Sequence, residues 1–515
     1  MPHKTQIFIL FLSRLVDFWQ MSSLQSYMVY QLRAFDSALS EATISHQAGI
    51  LQGSFTAAQI ITSVLWGRAA DSPTMGRKSV LLIGLVGTAI SCVGVGFSAT
   101  FGQAVLWRLL GGAVNGTVGA ARTMVAETVP KQWHSRAFLL LPVAFNVASI
   151  LGPLVGGLLV EPAKTYPATF GEVEWMQNHP YVLPSLLSAA LLIGEACLVM
   201  RFLVETLPTM GEVRGIELYF EDMVYGIKSI LSSNGGYAPP SDKETEDQQL
   251  LRPPKRSVSG MQNEFSLDTK SPQQLPFKQI WTPNVLWTLL SVAMFDFHMG
   301  AFNSLWIIFL TTARSTESRI MSITHFTGGL SFSPGPLSLS LSILGILGLL
   351  LQIVLYPWAN SKYGLMRCFR LSLFLFPLAY FLAPYLALIP STSPTPAAAA
   401  GCWIWLGISA VLTLQVTART FALPASIILV NNASPHPSVL GTIHGVGQAT
   451  SSAFRTIGPV ASGYWYGLGL KRDMVGLSWW LVAAFSAVGC VTSFWVRNGD
   501  GHEIMLPGED ASDLG

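Results

Sequence analysis

Apolar residues occupy this chain in long blocks separated by short polar turns. A helix that crosses a membrane needs about 20 mostly apolar residues. Twelve blocks qualify, near 6–30, 46–70, 79–97, 100–126, 135–160, 180–204, 283–311, 337–360, 367–391, 399–430, 438–468 and 477–496. We number them spans 1 to 12. Several exceed the minimum length, so tilts or kinks are expected. The first is too long for a cleavable signal, is interrupted by Arg14 and Asp17, and lacks a small-residue cleavage site.

The pattern predicts an all-α membrane protein of twelve transmembrane helices in two six-helix halves, 1–205 and 281–496, with a linker at 206–280 and a tail at 497–515. The linker is rich in Ser, Pro and charge, as in Tyr237-Ala238-Pro239-Pro240-Ser241-Asp242-Lys243-Glu244. Disorder is expected over about 233–272, and an amphipathic surface helix over 215–231. Ser257 and Ser259 follow Lys255 and Arg256 in a pattern a basophilic kinase reads, although a plain solvated linker is the favoured reading.

The halves echo each other. Span 5 carries Ile150-Leu151-Gly152-Pro153-Leu154-Val155-Gly156-Gly157, and span 11 carries Thr456-Ile457-Gly458-Pro459-Val460-Ala461-Ser462-Gly463. Each is the fifth span of its half. Parallel repeats of this kind imply a pseudo-twofold axis along the membrane normal, with a substrate site between the halves.

Composition narrows the class further. Charged residues are 11% of the chain, against roughly 25% in soluble domains. A net charge of +2 without a basic stripe excludes nucleic acid as a partner. The five cysteines, Cys92, Cys197, Cys368, Cys402 and Cys490, show no metal-ligand spacing and read as free packing thiols. No cofactor or resident metal is indicated. There is no G-x-x-x-x-G-K-[ST], G-x-S-x-G or H-E-x-x-H, so neither ATP hydrolysis nor another enzyme activity is expected.

Lys and Arg placement favours cytoplasmic termini. The inner side would hold Lys4, Arg68, Arg77, Lys78, Lys131, Arg136, Lys362, Arg367, Arg370 and Arg497. The outer side would hold only Arg33, Lys164, Arg314, Arg319, Lys471 and Arg472.

The turn between spans 2 and 3 reads Trp66-Gly67-Arg68-Ala69-Ala70-Asp71-Ser72-Pro73-Thr74-Met75-Gly76-Arg77-Lys78. Its G-x-x-x-D followed by Gly, Arg and Lys resembles the loop between helices 2 and 3 of the major facilitator superfamily. Further stretches are similar to the drug:proton antiporter group, in particular the zinc-induced-facilitator-like branch and its fungal relatives. They are Ser13-Arg14-Leu15-Val16-Asp17 with Ser22-Ser23-Leu24-Gln25-Ser26-Tyr27 in span 1, Ala48-Gly49 to Ser54-Phe55 in span 2, and Arg108 to Asn115-Gly116 in span 4. Asp17 stands where that branch has Glu, and Phe18 and Ser26 where it has Pro.

The resemblance implies a latch, made by Gly67, Asp71, Gly76, Arg77 and Lys78, that holds an outward-open state. Asp71 would face the positive end of span 11, and Arg77 would pair with Glu127 at the end of span 4. It also implies that Gly152, Pro153, Gly156 and Gly157 seal an antiporter against proton leak; close packing alone accounts for the same residues. Gly67 is expected to let span 2 approach a neighbour closely.

Charges inside spans are costly unless paired or hydrated, so each is a site candidate. Arg14 and Asp17 share a face at i,i+3 and suit either mutual neutralisation or proton work. At 100° per residue, Arg108, Asn115 and Arg122 fall within about 40° of one line on span 4, beside Gly112 and Gly119, which predicts a polar face lining a cavity. His444, Gln448, Ser451 and Arg455 fall on a similar line in span 11. His444 is of the type that changes charge near neutral pH, although a lone His in a span more often serves packing. In span 7, Asp296 and His298 point to different sides, and Asp296 is the first choice as proton carrier, with Glu195 and Asp17 next. Arg419 either balances an acid or binds an anionic substrate.

The sequence therefore reads as a monomeric, multi-pass transporter of the plasma or vacuolar membrane. It would export small organic solutes or drugs in exchange for protons. Two rival readings keep the fold. One is a metal-chelate or zinc-related transporter; the other is a nutrient sensor without transport.

Overall fold

The computed structural model describes residues 3–71, 75–130, 134–207, 277–315, 323–436, 439–499 and 503–504. The features expected at 215–231 and 233–272, with Ser257 and Ser259, lie outside the described residues.

Among the described residues the regular structure is helical, apart from one isolated bridge between Phe326 and Met474. Span 1 is Lys4–Phe35, span 2 Glu41–Asp71, span 3 Gly76–Gly96, span 5 His134–Leu158 and span 6 Val182–Phe202. Span 7 is Pro283–Thr311, span 10 Cys402–Asn432, span 11 Leu440–Lys471 and span 12 Gly476–Thr492. Three spans are broken. Span 8 runs Pro334–Leu350, makes a π turn at Leu351–Leu355 and resumes at Tyr356–Tyr363, with Pro357 in the first turn after the bulge. The π turn immediately precedes Pro357, which donates no N–H and whose ring crowds the carbonyl four residues back. Span 9 comprises Leu365–Leu373, Leu375–Leu382 and a 3-10 turn at Ala383–Leu388 containing Pro384.

Span 4 is the third, and its break matters most. It stops at Val114 and restarts at Thr117. Asn115 leaves the helical region at φ −80°, ψ 86°. Gly116 sits where a Cβ would come within 2.7 Å of Val80 and 2.9 Å of Trp66. The Trp66 indole N–H donates to the Ala113 carbonyl at 2.7 Å, satisfying an acceptor that the break exposes.

Glycines set the packing of the bundle because they let backbones meet. In the first half, Gly152 of span 5 abuts Ser22, Ser23 and the Trp19 carbonyl of span 1. In the second half, Gly458 of span 11 abuts the Phe297 carbonyl and Ala301 of span 7. Between the halves, Gly157 of span 5 meets Ser338 of span 8, and Gly463 of span 11 meets the Ser45 carbonyl of span 2. Spans 5 and 11 thus perform the same two tasks in their respective halves, as a pseudo-twofold repeat requires. Large apolar side chains such as Val354, Leu371 and Trp403 point outward, as a lipid-facing surface demands.

The contacts joining the halves gather away from the chain termini. Tyr30 Oη donates to the Phe332 carbonyl at 2.6 Å, and Arg33 Nη2 to the Thr311 carbonyl at 2.8 Å. Gly467 meets Ala42. Toward the termini the spans diverge. A Cβ added at Gly67 of span 2 or Gly445 of span 11 would meet nothing within 4 Å. The space between the halves therefore opens on the side of the termini.

Candidate functional site between the two halves

Two ion pairs flank this space. In the first half, Arg14 Nη1 donates to Asp17 Oδ2 at 2.5 Å, the i,i+3 geometry expected of one helix face. Asp17 also accepts from Thr117 Oγ1 at 3.0 Å and from Asn115 Nδ2 at 2.8 Å. Asn115 and Thr117 reach it because the break in span 4 turns both side chains toward span 1. Both members of the pair are buried. Asp17 is thus held by three donors.

The second pair is less enclosed. Arg455 Nε of span 11 donates to Asp296 Oδ1 of span 7 at 2.9 Å. The Asp296 side chain is 4% exposed, but that of Arg455 is 48% exposed. Asp296 thus has a cationic partner, which its apolar sequence context does not announce. His298 turns away from the space, and its Nδ1 lies 3.0 Å from Tyr380 Oη inside the second half.

Arg419 of span 10 is buried beside no acid. Its Nη2 donates to Asn146 Oδ1 of span 5 at 3.2 Å, and Asn146 Nδ2 donates to Gln352 Oε1 of span 8 at 2.7 Å. This amide relay joins the halves at their centre. Beside it, the Arg419 guanidinium lies 4.9 Å from the Phe145 ring centre. Phe145 meets Phe18 edge-on at 5.1 Å, and the Arg14 guanidinium lies 4.4 Å from the Phe18 ring. Two cations from opposite halves are therefore linked through two aromatic rings. Sequence reading missed Asn146, Gln352 and Phe145, and noted Phe18 only as a departure from the resembled branch. A polar Asn and Gln within otherwise apolar spans were the available signal.

Arg122 is exposed, with no hydrogen bond or ion pair among the described residues. It is within electrostatic reach of Arg14, Arg455 and His444, which places it on the inter-half space rather than in lipid. Gly119, one turn earlier, also faces open space. His444 is exposed on span 11 and contacts Asn431 Oδ1 at 3.2 Å. Gln448 Nε2 is 3.5 Å from Ser452 Oγ on its own helix.

Several expectations need correction. Arg108, Asn115 and Arg122 do not form one cavity-lining stripe, because the break at Asn115 and Gly116 shifts the helical phase. Arg108 is 3% exposed and sits inside the first half, 4.7 Å from the Phe55 ring centre. It borders a small buried cavity with Gln20, Tyr27, Cys92 and Ser188. Glu195 is also internal, accepting from Ser13 Oγ at 2.6 Å, and does not face the space between the halves. Gly67 makes no close approach here, since the halves diverge at that level.

The charged turn is assembled within the first half. Gly76 has φ 70°, a conformation that favours glycine. Arg77 Nη1 donates to Glu127. The Lys78 backbone N–H donates to Glu205 Oε2 at 2.9 Å, and Lys78 Nζ to the Met200 carbonyl at 3.0 Å. Glu205 was not foreseen. It places a carboxylate at the positive N-terminus of span 3. The Asp71 side chain lies outside the described residues. In span 5, Pro153 is accommodated inside a continuous helix, Gly152 and Gly156 pack on span 1, and Gly157 packs on span 8. Among the described residues no three His, Cys, Asp or Glu side chains converge as a metal site would require.

Comparison with known proteins gives this geometry a context. A family model described as the Major Facilitator Superfamily matches residues 7–422. The chain is 30% identical to the "Major facilitator superfamily multidrug transporter mfsB" of Aspergillus fumigatus, over 96% of this chain and 84% of the relative. It is 24% identical to "Protein ZINC INDUCED FACILITATOR-LIKE 1" of Arabidopsis thaliana, over 88% and 82%. The crystal structure of a D-xylose-proton symporter superposes with a TM-score of 0.62 at 15% identity, over 97% of this chain and 99% of the other.

Proposed function

This chain belongs to the major facilitator superfamily, a family of multi-pass membrane transporters, and on that premise we propose that it exports small organic solutes in exchange for protons. The observation that carries the reading is the Asp296–Arg455 pair. A coupling carboxyl must be costly to ionise alone, yet be reachable by water in turn. Asp296 is buried, and its partner is half exposed to the space between the halves. Protonation of Asp296 would release Arg455 and change the contact between spans 7 and 11. Asp17, held by three donors, is the poorer carrier, and Glu195 lies off the path. Export is supported by a relative named as an efflux pump, 25% identical over 88% of this chain.

If the termini are cytoplasmic, the structure faces inward. Closure on that side would bring the turn of Gly67, Asp71, Gly76, Arg77 and Lys78 toward span 11, with Arg77 and Glu127 as its preassembled anchor. The test is substrate flux in proteoliposomes under an imposed pH gradient. Gradient-driven flux in the native chain, lost in Asp296→Asn, supports the reading. Undiminished flux in Asp296→Asn removes Asp296 as carrier. Glu195 and Asp17 then remain to be tested in the same way.

A further inference from the structure

The charges inside the spans do not balance. The acids are Asp17, Glu195 and Asp296, and the guanidiniums are Arg14, Arg108, Arg122, Arg419 and Arg455. Asp17 and Asp296 are each taken by an arginine, and Glu195 is bonded to Ser13. Arg108, Arg122 and Arg419 remain. Arg108 is enclosed within the first half over the Phe55 ring, whereas Arg122 and Arg419 lie beside the space between the halves, neither with a carboxylate among the described residues.

Resting on the transporter reading above, we propose that this space binds organic anions, with Arg122 as the anchoring group and Arg419 as the floor. Arg419 is buried without a counter-charge, which is costly within a membrane span, and a ligand oxyanion supplies that charge; Arg122, open to the space, is free to meet the ligand first. The geometry leaves the donors available. The guanidinium carbon of Arg419 lies 4.9 Å from the Phe145 ring centre, and a guanidinium stacked on a ring would keep its N–H groups free at its edge. Arg419 spends one such donor on the Asn146 carbonyl oxygen, and Gln352 Nε2 is buried without a partner beside it. Arg122 spends none. A planar carboxylate or sulfonate accepts two parallel bonds from such a fork. Phe18 and Phe145 provide an apolar wall for the body of the ligand. The ligand class that fits is an aromatic or amphiphilic carboxylate or sulfonate.

Two xanthene dyes of similar shape and opposite charge test this: fluorescein, an anion, and rhodamine 6G, a cation. Binding to the purified full chain is followed by fluorescence polarisation, and flux in proteoliposomes under a pH gradient. Fluorescein should bind at least tenfold more tightly than rhodamine 6G. Arg122→Gln should weaken fluorescein at least tenfold without improving or losing thermal stability, and Arg122→Lys should restore part of the loss. Because Arg122 is exposed, neither variant should impair folding. Preference for rhodamine 6G, failure to bind fluorescein, or fluorescein binding unchanged in Arg122→Gln overturns the proposal. Gradient-driven export of rhodamine 6G without fluorescein binding would refute the anion site and leave the exporter standing. Fluorescein binding that depends on Arg122, without gradient-driven flux, would refute the exporter and leave the anion site.

Discussion

Arg455 and Asp296 form an asymmetric pair: the 2.9 Å bond joins a half-exposed guanidinium to a buried carboxylate. The two ends therefore differ in what their loss exposes. Removing Asp296 leaves Arg455 with access to water. Removing Arg455 leaves a carboxylate in an apolar setting.

Arg455→Ala should accordingly destabilise the protein more than Asp296→Asn. We expect a difference of about 1–2 kcal/mol, below the range for a fully buried pair because Arg455 is half exposed. Thermal unfolding of both variants in the same detergent checks the order. Asp296→Asn should also reduce gradient-driven flux at least tenfold while the protein reaches the membrane normally. Equal stability losses would show that Asp296 is not dependent on Arg455.

Arg77 and Glu127 should act as a unit. Arg77→Ala and Glu127→Gln should each slow transport at normal expression. The exchange Arg77→Glu with Glu127→Arg should recover part of the rate if their mutual attraction is what matters. Transport kinetics of the three variants decide this, and unimpaired rates in both single variants would reduce the turn to a topology signal.

Two glycines of span 2 should behave in opposite ways. A Cβ at Gly49 would lie 2.3 Å from the Pro459 carbonyl, so Gly49→Ala forces spans 2 and 11 apart, at a cost of about 1–3 kcal/mol. Gly67→Ala meets open space in this state, so thermal stability should be unchanged. Its effect should appear only in turnover, when the halves close at that level. Paired melting and flux measurements separate the two.

Thr56 and Thr456 bring their hydroxyls to 2.9 Å across the halves. In a background without the five native cysteines, Thr56→Cys with Thr456→Cys should crosslink on mild oxidation. The crosslink should stop transport, and a reductant should restore it. Mobility on non-reducing gels and flux before and after reduction provide the check.

Much of the architecture was legible in the chain. Lipid offers no hydrogen bonds, so a span must satisfy its backbone within a mostly helical apolar run, and its length is written in composition. The twelve runs follow from that constraint, and the repeat of Gly152-Pro153 in Gly458-Pro459 is visible in the chain itself. So does the sharing of a face by Arg14 and Asp17, since i,i+3 spacing is local.

What the sequence could not decide was the partner of each polar group, because partners come from different helices. Helical phase computed through Asn115 placed Arg108 and Arg122 on one face, but two non-helical residues were enough to send one into the bundle and the other into the open space. Asp296 looked unpartnered because Arg455 is four spans away in sequence and adjacent only after packing. Composition marked Arg419 as an anomaly, and only packing could reveal Asn146 and Phe145, rather than a carboxylate, beside it. Burial in a membrane fixes which segments become helices; the close approach of those helices, set by glycines and breaks, fixes which charges meet.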